Sequence, residues 1–188
     1  MTKRKADFFI LLGYNGTGKT SFLKKISDKA DRVLIVTPDY SEWTEIKEIS
    51  VNEIVKFKGK ARIIYRKNIL ESIVNLYNKG FLIFDDYRGF NISANSNEAE
   101  LLRTLVIRRR QKMIDIAISG HGFTEIVPRF LFTFASNIVL FKTIDNIDRI
   151  KNYVQNFDFL VKRQQEINKI SNPNELKDFM TYHEIIKL

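Results

Sequence analysis

The stretch DFFILLGYNGTGKT (residues 7–20) constrains this chain more than any other, because it joins an apolar run directly to a glycine-rich loop. A short run such as DFFILL (7–12), apolar without alternation after its first residue, is the pattern of a strand buried on both faces. The loop behind it satisfies G-x-x-x-x-G-K-[ST] at Gly13, Gly18, Lys19 and Thr20. TSFLKKISDKA then spaces Phe22, Leu23 and Ile26 along one helix face. In a strand–loop–helix unit, successive backbone N–H groups converge on a phosphate, and the helix N-terminus adds favourable potential. Gly13, Tyr14, Asn15, Gly16, Thr17, Gly18, Lys19, Thr20 and Ser21 are therefore expected to hold the phosphates of ATP. Within that set Lys19 would neutralise β and γ oxygens, and Thr20 would ligate Mg2+. The competing reading, a glycine turn beside an exposed lysine, does not require the flanking strand and helix.

Further along, apolar runs alternate with helical patterns. RVLIVTP (32–38), KARIIYR (60–66), FLIFDD (81–86), IDIAISG (114–120) and NIVLFKT (137–143) read as strands. Helices are expected over SEWTEIKEI (41–49) with Ser41 as cap, over NILESIVNLYNKG (68–80) with Gly80 at its end, over SNEAELLRTLVIRRRQK (96–112), and over TEIVPRFLFTFA (124–135). From Asp145 onward Ile147, Ile150, Val154, Phe157, Leu160 and Val161 recur at three- and four-residue steps, which predicts one long amphipathic helix. Such alternation predicts an α/β fold with a mostly parallel central sheet between helical layers, its sites at the carboxyl ends of the strands. The length suits a single domain, taken as residues 1–170, with 171–188 as a tail that packs on the domain or on a neighbouring subunit.

FLIFDD supplies the second half of a nucleotide site. Asp85, at the end of an apolar strand, is placed to hold Mg2+, and the adjoining Asp86 to orient or deprotonate an attacking water. Two solvated loop acids would be the plainer explanation. Composition narrows the partners. The chain carries 31 Lys and Arg against 22 Asp and Glu, a formal charge of +9, which suits a polyanion whose phosphates exchange counterions for side chains. With no Cys, disulfides, zinc–thiolate centres and thiol nucleophiles are excluded. No apolar run is long enough for a transmembrane segment, so the expectation is a soluble, cytoplasmic protein.

The run from residue 8 to about 150 resembles the FtsK–HerA superfamily of DNA-translocating ATPases, in particular the small genome-packaging ATPases of tailless icosahedral viruses. The resemblance rests on the order GYNGTGKT, FLIFDD, a helix ending RRRQK, the strand IDIAISGH, and PRFLFTFASNIVLFKT. It implies a three-layer αβα P-loop NTPase of the RecA/ASCE type, a homo-oligomeric ring acting on double-stranded DNA, and capsid or vertex proteins as partners. The chain departs from the family in two places. The residue after the magnesium aspartate is usually Glu and is here Asp86, and the polar sensor, usually Gln, has His121 in the matching place. The resemblance also implies an arginine finger donated by a neighbouring subunit, for which Arg110 and then Arg129 are the candidates, with Lys142 a third.

Two other readings share the cradle. A small nucleotide or nucleoside kinase would need an arginine-rich lid, yet residues 39–59 and 87–96, the available insertions, hold only Arg88. An assembly factor using ATP as a switch would bind nucleotide without translocating anything.

Overall fold

The computed structural model describes residues 6–143, 145–170 and 183–188. Apolar runs become strands wherever both faces can be buried. β1 (Phe8–Leu12), β2 (Arg32–Thr37), β3 (Gly59–Ile64), β4 (Gly80–Phe84), β5 (Ile114–Gly120) and β6 (Asn137–Leu140) form a parallel sheet. A seventh strand, β7 (Glu184–Lys187), joins the β6 edge antiparallel, so the sheet order is β3-β2-β4-β5-β1-β6-β7. Among the described residues the α-helices are α1 (Lys19–Ser27), α2 (Ile69–Leu76), α3 (Asn97–Lys112), α4 (Phe130–Phe134) and α5 (Phe157–Lys169).

Successive side chains of each strand enter opposite layers. Ile10, Leu12, Leu34, Val36, Leu82, Phe84, Ile116 and Ile118 meet α2, α3 and α5 through Leu70, Ile73, Leu102, Leu105 and Leu160. Leu11, Val33, Ile35, Ile83, Ala117 and Val139 face the other way, against Phe22 and Leu23 of α1 and against Trp43. One layer thus holds most of the helices, and the other holds α1 and the start of the 38–58 excursion around Trp43, whose later residues Ile49 and Ile54 pack into the first layer. This is the three-layer, mostly parallel α/β fold that the alternation predicts.

Several local expectations give way to tertiary demands. Residues 41–49 form turns and no helix. Asp39 Oδ1 accepts both the backbone N–H and the hydroxyl of Ser41 at 2.7 Å, which takes the cap residue into a turn, and Trp43 adopts a left-handed φ of 57°. Helix α2 stops at Leu76, and Gly80 opens β4 at φ 146°, where a side chain would strike the carbonyl of Arg32. The helix expected over 124–135 shrinks to α4, because Pro128 lacks an N–H and constrains Val127 before it. The long helix after Asp145 divides into a 3-10 segment (Ile147–Tyr153) and α5, with Val154 extended between them. The i, i+3 step from Ile147 to Ile150 fits a 3-10 turn as well as an α-helix, so periodicity could not separate the two. The last predicted strand closes at Leu140.

The arginine run at the end of α3 also separates. Arg108 and Arg110 are exposed, whereas Arg109 is buried and donates to the carbonyls of Val106 (2.7 Å), Phe134 (3.3 Å) and Ala6 (3.4 Å). It ties α3 to the end of α4 and to the start of β1. Replacing Arg109 with Ala removes three hydrogen bonds and is expected to cost about 2–4 kcal/mol in denaturant unfolding, whereas Arg108→Ala stays within about 0.5 kcal/mol.

Candidate functional site

The phosphate loop leaves β1 at the carboxyl edge of the sheet and is fixed at its root by the flanking strands. Gly13 N–H donates to Gly120 O at 3.2 Å, and Tyr14 N–H to Lys142 O at 3.0 Å. A side chain at Gly13 would collide with the Phe141 Cβ and the Thr17 hydroxyl, so only glycine lets the loop sit this close to the end of β6. Gly16 and Gly18 have φ of 77° and 91°, and the left-handed turn at Gly18 delivers the chain into α1 with its first N–H groups facing the loop. Lys19 is buried and donates from Nζ to Gly13 O at 2.6 Å and Tyr14 O at 2.8 Å. An ammonium has three donors, so one remains for an anion. Burial pushes Lys19 below the usual lysine range, while Asp85, Asp86 and Glu125 pull it back up. Those three carboxylates mark where the rest of the site lies.

Asp85, 4% exposed, follows β4 and has partners on both carboxylate oxygens. Oδ2 accepts the Trp43 indole N–H at 2.8 Å and the Thr20 hydroxyl at 3.3 Å. Oδ1 accepts the Ser119 hydroxyl and the Asp86 backbone N–H, the latter at 3.1 Å. The hydroxyl and carboxylate expected to ligate a cation are therefore in contact. They form an all-oxygen donor pair, which fits the hard ion Mg2+. Glu42, beside Trp43, has its carboxyl pushed up by burial and by the charges of Asp85 and Asp39.

Asp86 takes a left-handed backbone (φ 53°, ψ 61°), held by its N–H to Ser119 Oγ at 3.0 Å. This turn sends its side chain toward the loop that follows β5. There His121 Nε2 stands 3.7 Å from Asp86 Oδ1. Glu125 closes the far side, with Oε2 accepting the His121 backbone N–H at 3.0 Å and Oε1 lying 3.7 Å from Arg88. The turn is anchored from behind by Asp145, which accepts the Thr124 N–H at 2.7 Å and the Thr143 hydroxyl at 3.1 Å. Lys19, Thr20, Asp85, Asp86 and His121 thus gather at one edge of the sheet. Arg110 does not join them: the end of α3 meets Lys79 and Gly80 at the start of β4, the opposite edge. Arg129 caps α4, where its Nε is enclosed and forms no hydrogen bond among the described residues. Lys142 donates to Ile170 O at 3.3 Å.

Sequence reasoning passed over Trp43, Ser119 and Glu125. Trp43 sits in a segment whose pattern suggested a short helix. Ser119 lies within IDIAISGH and Glu125 four residues after it, and their proximity to the acid pair depends on β5 lying between β1 and β4.

No protein-family model matches the chain, and no curated protein does. Solved structures do. The chain is similar to the genome packaging NTPase B204 from Sulfolobus turreted icosahedral virus 2 in complex with ATP-gammaS, with TM-score 0.70 and 14% identity over 97% of this chain and 97% of that one. The same NTPase in complex with AMPPCP gives TM-score 0.71 at 14% identity, again over 97% of each chain. B204, the DNA-packaging ATPase from Sulfolobus Turreted Icosahedral Virus, gives 0.65 at 13% identity over 96% of this chain and 97% of that one. At such identity the likeness is one of fold, and it extends the resemblance carried by the motifs to the whole P-loop NTPase architecture.

The Trp43–Asp85 bond joins the 38–58 excursion to the site. Trp43→Phe keeps an aromatic ring but removes the indole N–H that donates to a buried carboxylate, so a loss of about 1–3 kcal/mol in unfolding free energy is expected from denaturant melts.

Proposed function

We propose that this chain is an ATPase that works as a homo-oligomeric ring, translocating double-stranded DNA during viral genome packaging. The observation that carries the reading is the contact between Thr20 and Asp85 under the phosphate loop, with Asp86 adjoining it. The full-length likeness to packaging NTPases bound to ATP analogues supports the same assignment.

The loop from Gly13 to Ser21 would hold the phosphates through backbone N–H groups, and Lys19 would place its ammonium on the β and γ oxygens. Thr20 and Asp85 would hold Mg2+, which when bound neutralises charge building on those oxygens. Trp43 and Ser119, together with the Thr20 hydroxyl and the Asp86 N–H, keep the Asp85 carboxylate in one orientation. Asp86 then stands as the group that aligns a water and takes its proton. His121, beside Asp86, would register the γ-phosphate indirectly, through its contact with Asp86. Charge on the transition state would be completed in trans by Arg110, or else by Arg129 or Lys142, from the neighbouring subunit.

A net charge of +9 suits a duplex gripped by its phosphates, which needs no base-reading element. Among the described residues no helix is long and apolar enough to cross a membrane, in keeping with action in the host cytoplasm, where capsid or vertex proteins are the remaining partners. The excursion that a kinase would use as a mobile lid instead has Trp43 buried against Asp85.

Lys19→Ala is expected to abolish turnover and to weaken nucleotide binding. Asp86→Asn should bind a fluorescent ATP analogue as the parent does, with hydrolysis slowed about 10²–10⁴-fold. Parental turnover in both variants would remove the catalytic assignment.

Duplex DNA is expected to raise ATP turnover, and the stimulation should fade as salt is increased, because phosphate contacts release counterions. Solution mass measured with ATP should show an oligomer. A monomer whose turnover is indifferent to DNA would overturn the motor while leaving the ATPase standing.

A further inference from the structure

Asp86 Oδ1 is enclosed and forms no hydrogen bond among the described residues, although a carboxylate oxygen in that setting is costly to leave unpaired. The group facing it is His121 Nε2 at 3.7 Å, so a closure of roughly 0.7 Å would bring the pair into hydrogen-bond range. The opposite ring nitrogen, Nδ1, lies 3.7 Å from Glu125 Oε2. That oxygen already accepts the His121 backbone N–H, and Arg88 stands 3.7 Å from the other carboxylate oxygen. Glu125 is therefore held from two sides, and its side chain is only 24% exposed, as against 43% for Asp86. The arrangement is a base, an imidazole and a second acid in line, the last two on one short turn.

We propose that Glu125 is a positioning residue for hydrolysis: it fixes the His121 ring so that Nε2–H holds Asp86 Oδ1 and leaves Asp86 Oδ2 for the attacking water. The inference rests on the ATPase reading above. In that reaction the water oxygen bonds to the γ-phosphorus and its proton passes to Asp86 Oδ2. The bond from phosphorus to the β–γ bridging oxygen breaks, and its electron pair leaves on ADP. Neither Glu125 nor His121 touches the phosphorus. Their contribution is to remove the rotational freedom of a carboxylate whose backbone already lies in an uncommon region, and catalysis is sensitive to such misplacement.

A structural role for Glu125, capping the turn through the His121 N–H, is the rival explanation, and Glu125→Gln separates the two. The amide still accepts that N–H but carries no charge toward Nδ1 or Arg88. Single-turnover ATP hydrolysis by Glu125→Gln is expected to slow by about 10- to 100-fold, with the affinity for a fluorescent ATP analogue and the melting temperature both parental. His121→Ala should show a loss of the same order. Because Glu125 acts through His121, the double variant should be no slower than His121→Ala alone. A parental rate in Glu125→Gln, losses that multiply in the double variant, or a slowing matched by weaker binding or a lower melting temperature would each overturn the proposal. If Lys19→Ala and Asp86→Asn also hydrolyse ATP normally, it is the catalytic assignment of Lys19 and Asp86, on which this proposal rests, that has failed. If those two are inactive and Glu125→Gln is not, only the role of Glu125 falls.

Discussion

A single buried carboxylate organises this molecule's site. Asp85 is almost fully enclosed, and a charge taken out of water is tolerated only when donors replace the lost hydration. The donors come from four places in the chain: Thr20 on α1, Trp43 in the excursion after β2, Ser119 at the end of β5, and the adjacent backbone N–H. Meeting that requirement draws the phosphate loop, the excursion and two strand ends together. The same contacts orient the carboxylate toward the Thr20 hydroxyl, where a cation would stand between protein and phosphate.

The sheet order makes this convergence possible. β5 lies between β1, which carries the phosphate loop, and β4, which carries the acid pair. Its carboxyl end therefore opens between them, and whatever follows Ser119 must occupy the gap. His121 and Glu125 follow it. Behind them, Gln164 and Asn168 of α5 donate to the carbonyl of Thr143, whose hydroxyl shares its proton between Asp145 Oδ1 and His121 O, so the turn is braced by α5. At the opposite edge of the sheet Arg109 serves the fold alone, satisfying carbonyls that the chain ends would otherwise leave bare. Three consecutive arginines thus divide between solvent and interior, as a 100° turn per residue requires.

The legible parts of the fold were those whose energetics are local. Continuous apolar runs marked the strands because a strand covered on both faces has no polar side. The glycine loop between strand and helix was legible because its glycines, lysine and threonine all fall within residues 13–20, and the geometry they impose needs only the strand before and the helix after. Regions of weaker pattern were misjudged where a distant group competed. Ser41 had the chemistry of a cap but was taken by Asp39, and Trp43 left a helical phase to reach Asp85. The steps after Asp145 suited either a 3-10 or an α-helix, and Val154 ended the first before α5 began.

By itself, then, the amino-acid order determined a buried strand feeding a phosphate loop, an acid pair at the close of another strand, and a parallel α/β class. Only the tertiary structure decided which strand separates them, and so which residues stand beside Asp85 and Asp86. The physical reason is that parallel neighbours are joined through crossovers. Their order is set by how whole layers bury one another, a sum over contacts between remote segments that no local pattern of residues records.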